Sequence, residues 1–116
     1  MTGPRPGETW QLLFGGIVGA GKAAIVAPEP FGSGRRLLYI LAVGAKWITA
    51  ANPVTLQLGH VHVRDWPKHR PRRIDDNRAR GLRRFKEQRA ALNRQGVPIA
   101  AKTLRGHLAR IERGLK

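Results

Sequence analysis

Two apolar stripes at helical spacing, broken by Gly96-Val97-Pro98, set the strongest limit on how the C-terminal part of this 116-residue chain can fold. In the first stripe Leu82, Phe85, Arg89 and Leu92 recur at steps of three and four, and Leu104, Leu108, Ile111 and Leu115 do the same in the second. Residues at that spacing share one face of an α-helix, so each stripe predicts an amphipathic helix interrupted only by Arg89. Asp75, Asp76 or Asn77 offers a side-chain oxygen to the free amides at the start of the first helix. Gly96 accepts the left-handed backbone that closes a helix, and Pro98 lacks the amide hydrogen that would let it run on. Two helices joined by a short angular turn are therefore expected over residues 75–116.

Upstream the period changes from helical to strand-like. Thr9–Phe14, Ala23–Ala27, Arg36–Val43, Lys46–Thr49 and Leu56–Val63 are short apolar, β-branched or aromatic runs separated by Gly and Pro. Five such runs in so few residues predict a small antiparallel β-barrel. A single helix over Leu37–Ala51 is disfavoured by Gly44, by its β-branched residues and by its two aromatics. The fold class expected is α+β, with a barrel at residues 1–66, a basic Pro-rich linker at 67–74 and a helical hairpin at 75–116.

Charge follows the same division. The chain carries 22 Lys/Arg against seven Asp/Glu, a net +15. Residues 1–68 hold seven basic and three acidic side chains, a balance of +4, whereas residues 69–116 hold fifteen and four, a balance of +11. Self-repulsion of that size is ordinarily relieved by a polyanion, and nucleic acid is the expected partner. Basic helices that lie on membranes carry Trp or Phe along a broad apolar face, whereas the C-terminal stripes offer only Phe85.

The run Leu92-Asn93-Arg94-Gln95-Gly96-Val97-Pro98-Ile99-Ala100-Ala101-Lys102-Thr103-Leu104-Arg105-Gly106-His107-Leu108 resembles the helix-turn-helix of bacterial transposases, arginine-repressor-type regulators and nitrogen-type alternative sigma factors. The resemblance implies that the helix after the turn reads DNA, with Lys102, Thr103, Arg105 and Gly106 at the groove and Leu92, Val97, Ile99, Leu104 and Leu108 holding the two helices together. Gly106 departs from a good helix former, and no wing strand follows it. The Pro-Gly-Glu-x-Trp start, the hairpins and the last strand before a basic tail are similar to SH3-like barrels of small bacterial and phage proteins. The expected nucleic-acid contacts are Arg70, Arg72, Arg73, Arg80, Arg83, Arg84, Arg94, Lys102, Thr103, Arg105 and Arg110. Duplex DNA is favoured and RNA is the alternative. Two further classes stay open: a structural component of a nucleoprotein assembly such as a ribosome or virion, and a phage or plasmid protein whose barrel binds and inhibits a host protein.

Other motifs carry less. Gly16-Ile17-Val18-Gly19-Ala20-Gly21-Lys22 has the glycine and lysine spacing of a phosphate-binding loop, but Ala23 stands where a magnesium-binding hydroxyl is needed, so a hairpin turn is expected there. His60 and His62, two apart in a strand, point to one side as a metal pair would, and His69 or Asp65 is available to complete a site. Ligands from one short run show no second shell, however, so surface or groove-edge histidines are expected, with no metal or other cofactor. Asp75-Asp76 suits a helix start better than acid/base chemistry, and Ser33, the sole serine, has no neighbouring His. No enzyme activity is expected. Trp10, Trp47 and Trp66 have two uses open to them, stacking on bases if exposed on the barrel or filling the core. In so small a domain the core is the expected one, with Trp66, where the barrel meets the arm, stapling the two parts. The absence of cysteine excludes disulfides and thiol chemistry. The most apolar window, Leu37–Ala51, is shorter than the roughly 20 residues of a membrane span and includes Lys46. No signal-peptide pattern is found at the N-terminus, and a cytoplasmic protein is expected.

Overall fold

The computed structural model describes residues 3–12, 27–28, 36–96 and 101–115. In chain order these form β1 (Thr9–Leu12), β2 (Ala27–Pro28), β3 (Arg36–Val43), β4 (Trp47–Ala51), β5 (Leu58–His62), a 3-10 helix (Val63–His69), β6 (Pro71–Asp75), α1 (Arg78–Arg94) and α2 (Ala101–Gly114). The α+β class follows. The strands pair antiparallel in the order β5-β4-β3-β1-β6, with β2 beside β3. Among the described residues this sheet is open, with β5 and β6 at its edges.

The expected linker at 67–74 is replaced by regular structure. Residues 63–69 wind into the 3-10 helix, and Pro71–Asp75 pairs with β1 as an edge strand, Trp10 opposite Arg73 and Gln11 opposite Arg72. Pro71 is no obstacle, because a first strand residue at a sheet edge need not donate to the ladder. The adjacent arginines also make this edge a poor template for another strand.

Alternation along the strands separates two apolar clusters on opposite faces of the sheet. On one face Trp10 and Leu12 of β1, Leu38 and Ile40 of β3, Ile48 and Ala50 of β4, and Val61 of β5 are buried with Trp66 of the 3-10 helix. Trp66 meets Trp10 edge-on, with ring centroids 5.4 Å apart and planes at 69°. On the other face Tyr39, Leu41, Ala51 and Leu56 are buried by Leu82 and Phe85 of α1 and by Leu104, Leu108 and Ile111 of α2. Both expected stripes therefore end in one core shared with the strands. Tyr39 stacks on Phe85 at 4.4 Å, and its buried hydroxyl has no hydrogen-bond partner among the described residues. Burial pushes the Tyr39 phenol well above its ordinary range, slightly opposed by the Arg78 guanidinium.

The ends of α1 follow the sequence. Asn77 is the N-cap, its side-chain oxygen accepting from the Arg80 amide at 3.0 Å. Gly96, at φ 75°, takes the left-handed position after the helix. Polar contacts then fix α1 to the sheet layer: Arg78 Nε donates to the Pro6 carbonyl at 2.7 Å, and Gln88 Nε2 to the Val54 carbonyl at 2.7 Å. Lys86 and Glu112 form an exposed ion pair between α1 and α2 at 3.2 Å. The phosphate-loop-like segment 16–22 and the turn at 97–100 lie outside the described residues.

Candidate nucleic-acid interface

Nine of the eleven expected contact residues have described side chains, and all nine are exposed: Arg70, Arg72, Arg73, Arg80, Arg83, Arg84, Arg94, Arg105 and Arg110. Lys102 and Thr103 lie in the first turn of α2, with side chains outside the described set. The nine fall into three groups set by secondary structure.

The first group belongs to β6 and the residue before it. Arg70 closes the 3-10 helix with φ 49°, its amide donating to the Pro67 carbonyl at 3.1 Å. Strand alternation then sends Arg72 and Arg73 to opposite faces. On its side Arg73 lies 3.5 Å from Glu8, a fully buried carboxylate. Glu8 also accepts from the Arg5 amide at 2.7 Å, the Trp10 indole at 3.1 Å and Arg5 Nε at 3.3 Å. Buried charge is tolerated only with such partners, so Glu8 ties the N-terminal loop, β1 and β6 together. This role was not inferred from the sequence, although Glu8 is the only acid among the first 28 residues.

The second group lies on α1. Opposite its buried Leu82 and Phe85, the helical period places Arg80, Arg83 and Arg94 outward. Arg80 grips Asp75 with two hydrogen bonds, 2.8 and 3.1 Å, and Arg84 approaches the same carboxylate at 3.9 Å. The Arg80 hydrogen bond holds the Asp75 carboxyl below its ordinary range, helped by the Asn77 amide and opposed by partial burial. Asp75 thus acts as anchor for Arg80, while Asn77 alone caps the helix. Arg83 borders a shallow groove of about 440 Å³ with Lys86, Glu87 and Glu112.

The third group is the exposed surface of α2, with Arg105, Gly106 and Arg110. A β-carbon added at Gly106 would meet no heavy atom within 4 Å, so this glycine is not there to let α1 approach. His107 is half-buried beside Arg110 and His60, and its Nδ1 has no partner among the described residues. Burial first, then Arg110 and His60, hold its imidazole below the usual histidine value.

Of the nine exposed arginines, Arg72, Arg83, Arg94, Arg105 and Arg110 make no ion pair among the described residues, whereas Arg73 is held by Glu8 and Arg80 and Arg84 by Asp75.

One tryptophan departs from expectation. Trp10 and Trp66 are core residues, but Trp47 is 46 % exposed. Its ring meets both members of the expected histidine pair edge-on, 4.9 Å from His62 and 6.3 Å from His60. His60 Nδ1 lies 3.0 Å from the Thr49 hydroxyl, and His62 Nδ1 accepts from the Arg64 amide at 3.0 Å. A small domain is expected to spend its aromatics on the core, but α1 and α2 cover only the Ala51 end of the face that carries Trp47.

Among the described residues no helix is long and apolar enough to cross a membrane. Compared with protein-family models, with curated proteins and with solved structures, the chain matches none.

Proposed function

We propose that this chain binds nucleic acid, duplex DNA foremost, using α1 and α2 as a helix-turn-helix and the sheet, in the manner of an SH3-like barrel, as their scaffold. The observation that carries the reading is the set of exposed arginines, five of which have no ion-pair partner among the described residues, in a chain of net +15. An unpaired guanidinium held in water gains little from the fold and is available to a phosphate. Gly106 gives α2 a flat outer surface where a phosphate or base edge can come close. Arg105 and Arg110 flank it, and Arg72 extends the charge to the sheet edge.

A titration of the full chain with duplex DNA, a single strand and a structured RNA at two salt concentrations tests the reading. Neutralising about six to eight phosphates requires the logarithm of affinity to fall with that of salt at a slope of about −5 to −7 on duplex. A slope near zero, or no binding at low salt, sinks it.

A further inference from the structure

We propose that the exposed end of the sheet around Trp47 is a second binding site, one that takes an unpaired nucleobase against the Trp47 indole. In β4 and β5, Trp47 stands opposite His62, Thr49 opposite His60 and Ala51 opposite Leu58, so one row of side chains runs along a single face. The helices bury the Ala51 and Leu58 end of that row. They leave the other end open, with about 580 Å³ of space bordered by Trp47, Thr49, Gly59 and His60. That volume lies in the range of small-ligand sites. The His60 and His62 rings brace the indole edge-on, and their Nδ1 atoms face Thr49 and the Arg64 amide, which fixes both rings.

Charge identifies the occupant. Lys46 precedes Trp47 and is exposed, and Arg64 follows the His62 strand end and is 75 % exposed. The nearby acid, Asp65, is shared between Arg64 at 3.9 Å and Lys68 at 3.4 Å. An exposed indole with cations adjoining it along the chain suits a nucleotide, whose base stacks while a neighbouring cation meets its phosphate. The base must be out of a duplex stack, since a paired base presents only its edges.

This site rests on the nucleic-acid reading but uses different residues, so the two can fail separately. The full chain is titrated with oligo(dT), with an abasic strand of equal length and with a blunt duplex, following tryptophan emission and the anisotropy of labelled strands. With Trp10 and Trp66 buried, emission changes report chiefly on Trp47. Oligo(dT) should quench and the abasic strand should not. Trp47→Ala should weaken oligo(dT) binding by about 5- to 100-fold and leave duplex binding unchanged, while Trp47→Phe retains most of the affinity. If Trp47→Ala binds oligo(dT) as tightly as the parent while duplex still binds, the base site is overturned and the helical reading stands. Trp47-dependent binding of oligo(dT) without duplex binding supports the base site and removes the helical reading. Binding of neither overturns both. Should sedimentation show that Trp47→Ala only dissociates a self-associated form, with strand binding intact, the face joins two copies of the chain and the base site is overturned.

Discussion

The helical backbone at Gly81 lies against the carbonyl oxygen of Gly7, with no space between them for a β-carbon. Gly7 itself, at φ 95°, sits in a conformation that side chains rarely adopt. Glycine inside α1 costs about 1 kcal/mol of helix propensity, and here that cost is offset by letting the helix reach the N-terminal loop, where Arg78 meets the Pro6 carbonyl. Gly106, in α2, has open space instead. The two substitutions should therefore differ in sign. Gly81→Ala should destabilise by about 1 to 3 kcal/mol through overpacking, and Gly106→Ala should stabilise by up to about 1 kcal/mol. Urea unfolding of both variants decides it, and equal effects would mean that α1 does not sit on the loop.

The shared core carries a second expectation. Tyr39, Leu41, Ala51 and Leu56 are buried under residues of α1 and α2, so a chain ending at residue 76 should expose them and lose its cooperative unfolding transition. The sequence expectation of a separate barrel over residues 1–66 instead has the strands keep a β-rich fold once residues 69–116 are removed. Circular dichroism and denaturant titration of the fragment separate the two, and a sharp transition would show that the strands hold a core of their own.

What was legible in the sequence was whatever is encoded locally. Helical periodicity placed Leu82, Phe85, Leu104, Leu108 and Ile111 on buried faces, Asn77 was among the expected caps, and Gly96 marked the helix end. The core strand runs were found because apolar and β-branched residues cluster between Gly and Pro. The sequence could not show that Pro71-Arg72-Arg73-Ile74-Asp75 is a strand, since its pairing with β1 depends on a buried Glu8 more than sixty residues away in the chain. Nor could it show Trp47 exposed, because that follows from where two helices stop on the sheet. The basic surface was legible as charge, but the pairing of Arg73, Arg80 and Arg84 with acids was not.

Stability should fall in two steps as pH is lowered. His107 has its folded pKa held below the ordinary 6.5, chiefly by burial, so the unfolded chain takes up the proton first. Its contribution is fully present above pH 6.5 and is lost as pH falls through that value toward the depressed one. Asp75 is held below its ordinary 3.8, chiefly by Arg80, so its contribution persists above 3.8 and disappears as pH falls below it. His107→Gln should flatten the upper step and leave the lower one, as followed by thermal unfolding across pH. An unchanged upper step would assign it to another group.

The arginines should fail in different ways on nucleic acid. In the helix-turn-helix reading Arg105 lies in the first half of α2, where side chains reach base edges, whereas Arg72 lies on β6 and meets phosphate. Arg105→Ala should then cost about 1 to 3 kcal/mol on a preferred duplex and little on random sequence, while Arg72→Ala should weaken both alike and lower the salt slope by about one unit. Arg73→Ala forms a third class: it removes a partner of the fully buried Glu8, so thermal stability should drop along with affinity. Arg72 makes no ion pair among the described residues and its removal should leave stability unchanged. Selection from a random duplex pool supplies the preferred sequence. If no sequence is enriched and Arg105→Ala behaves as Arg72→Ala does, α2 holds phosphates without reading bases, and the helix pair serves as a charged clamp on the backbone.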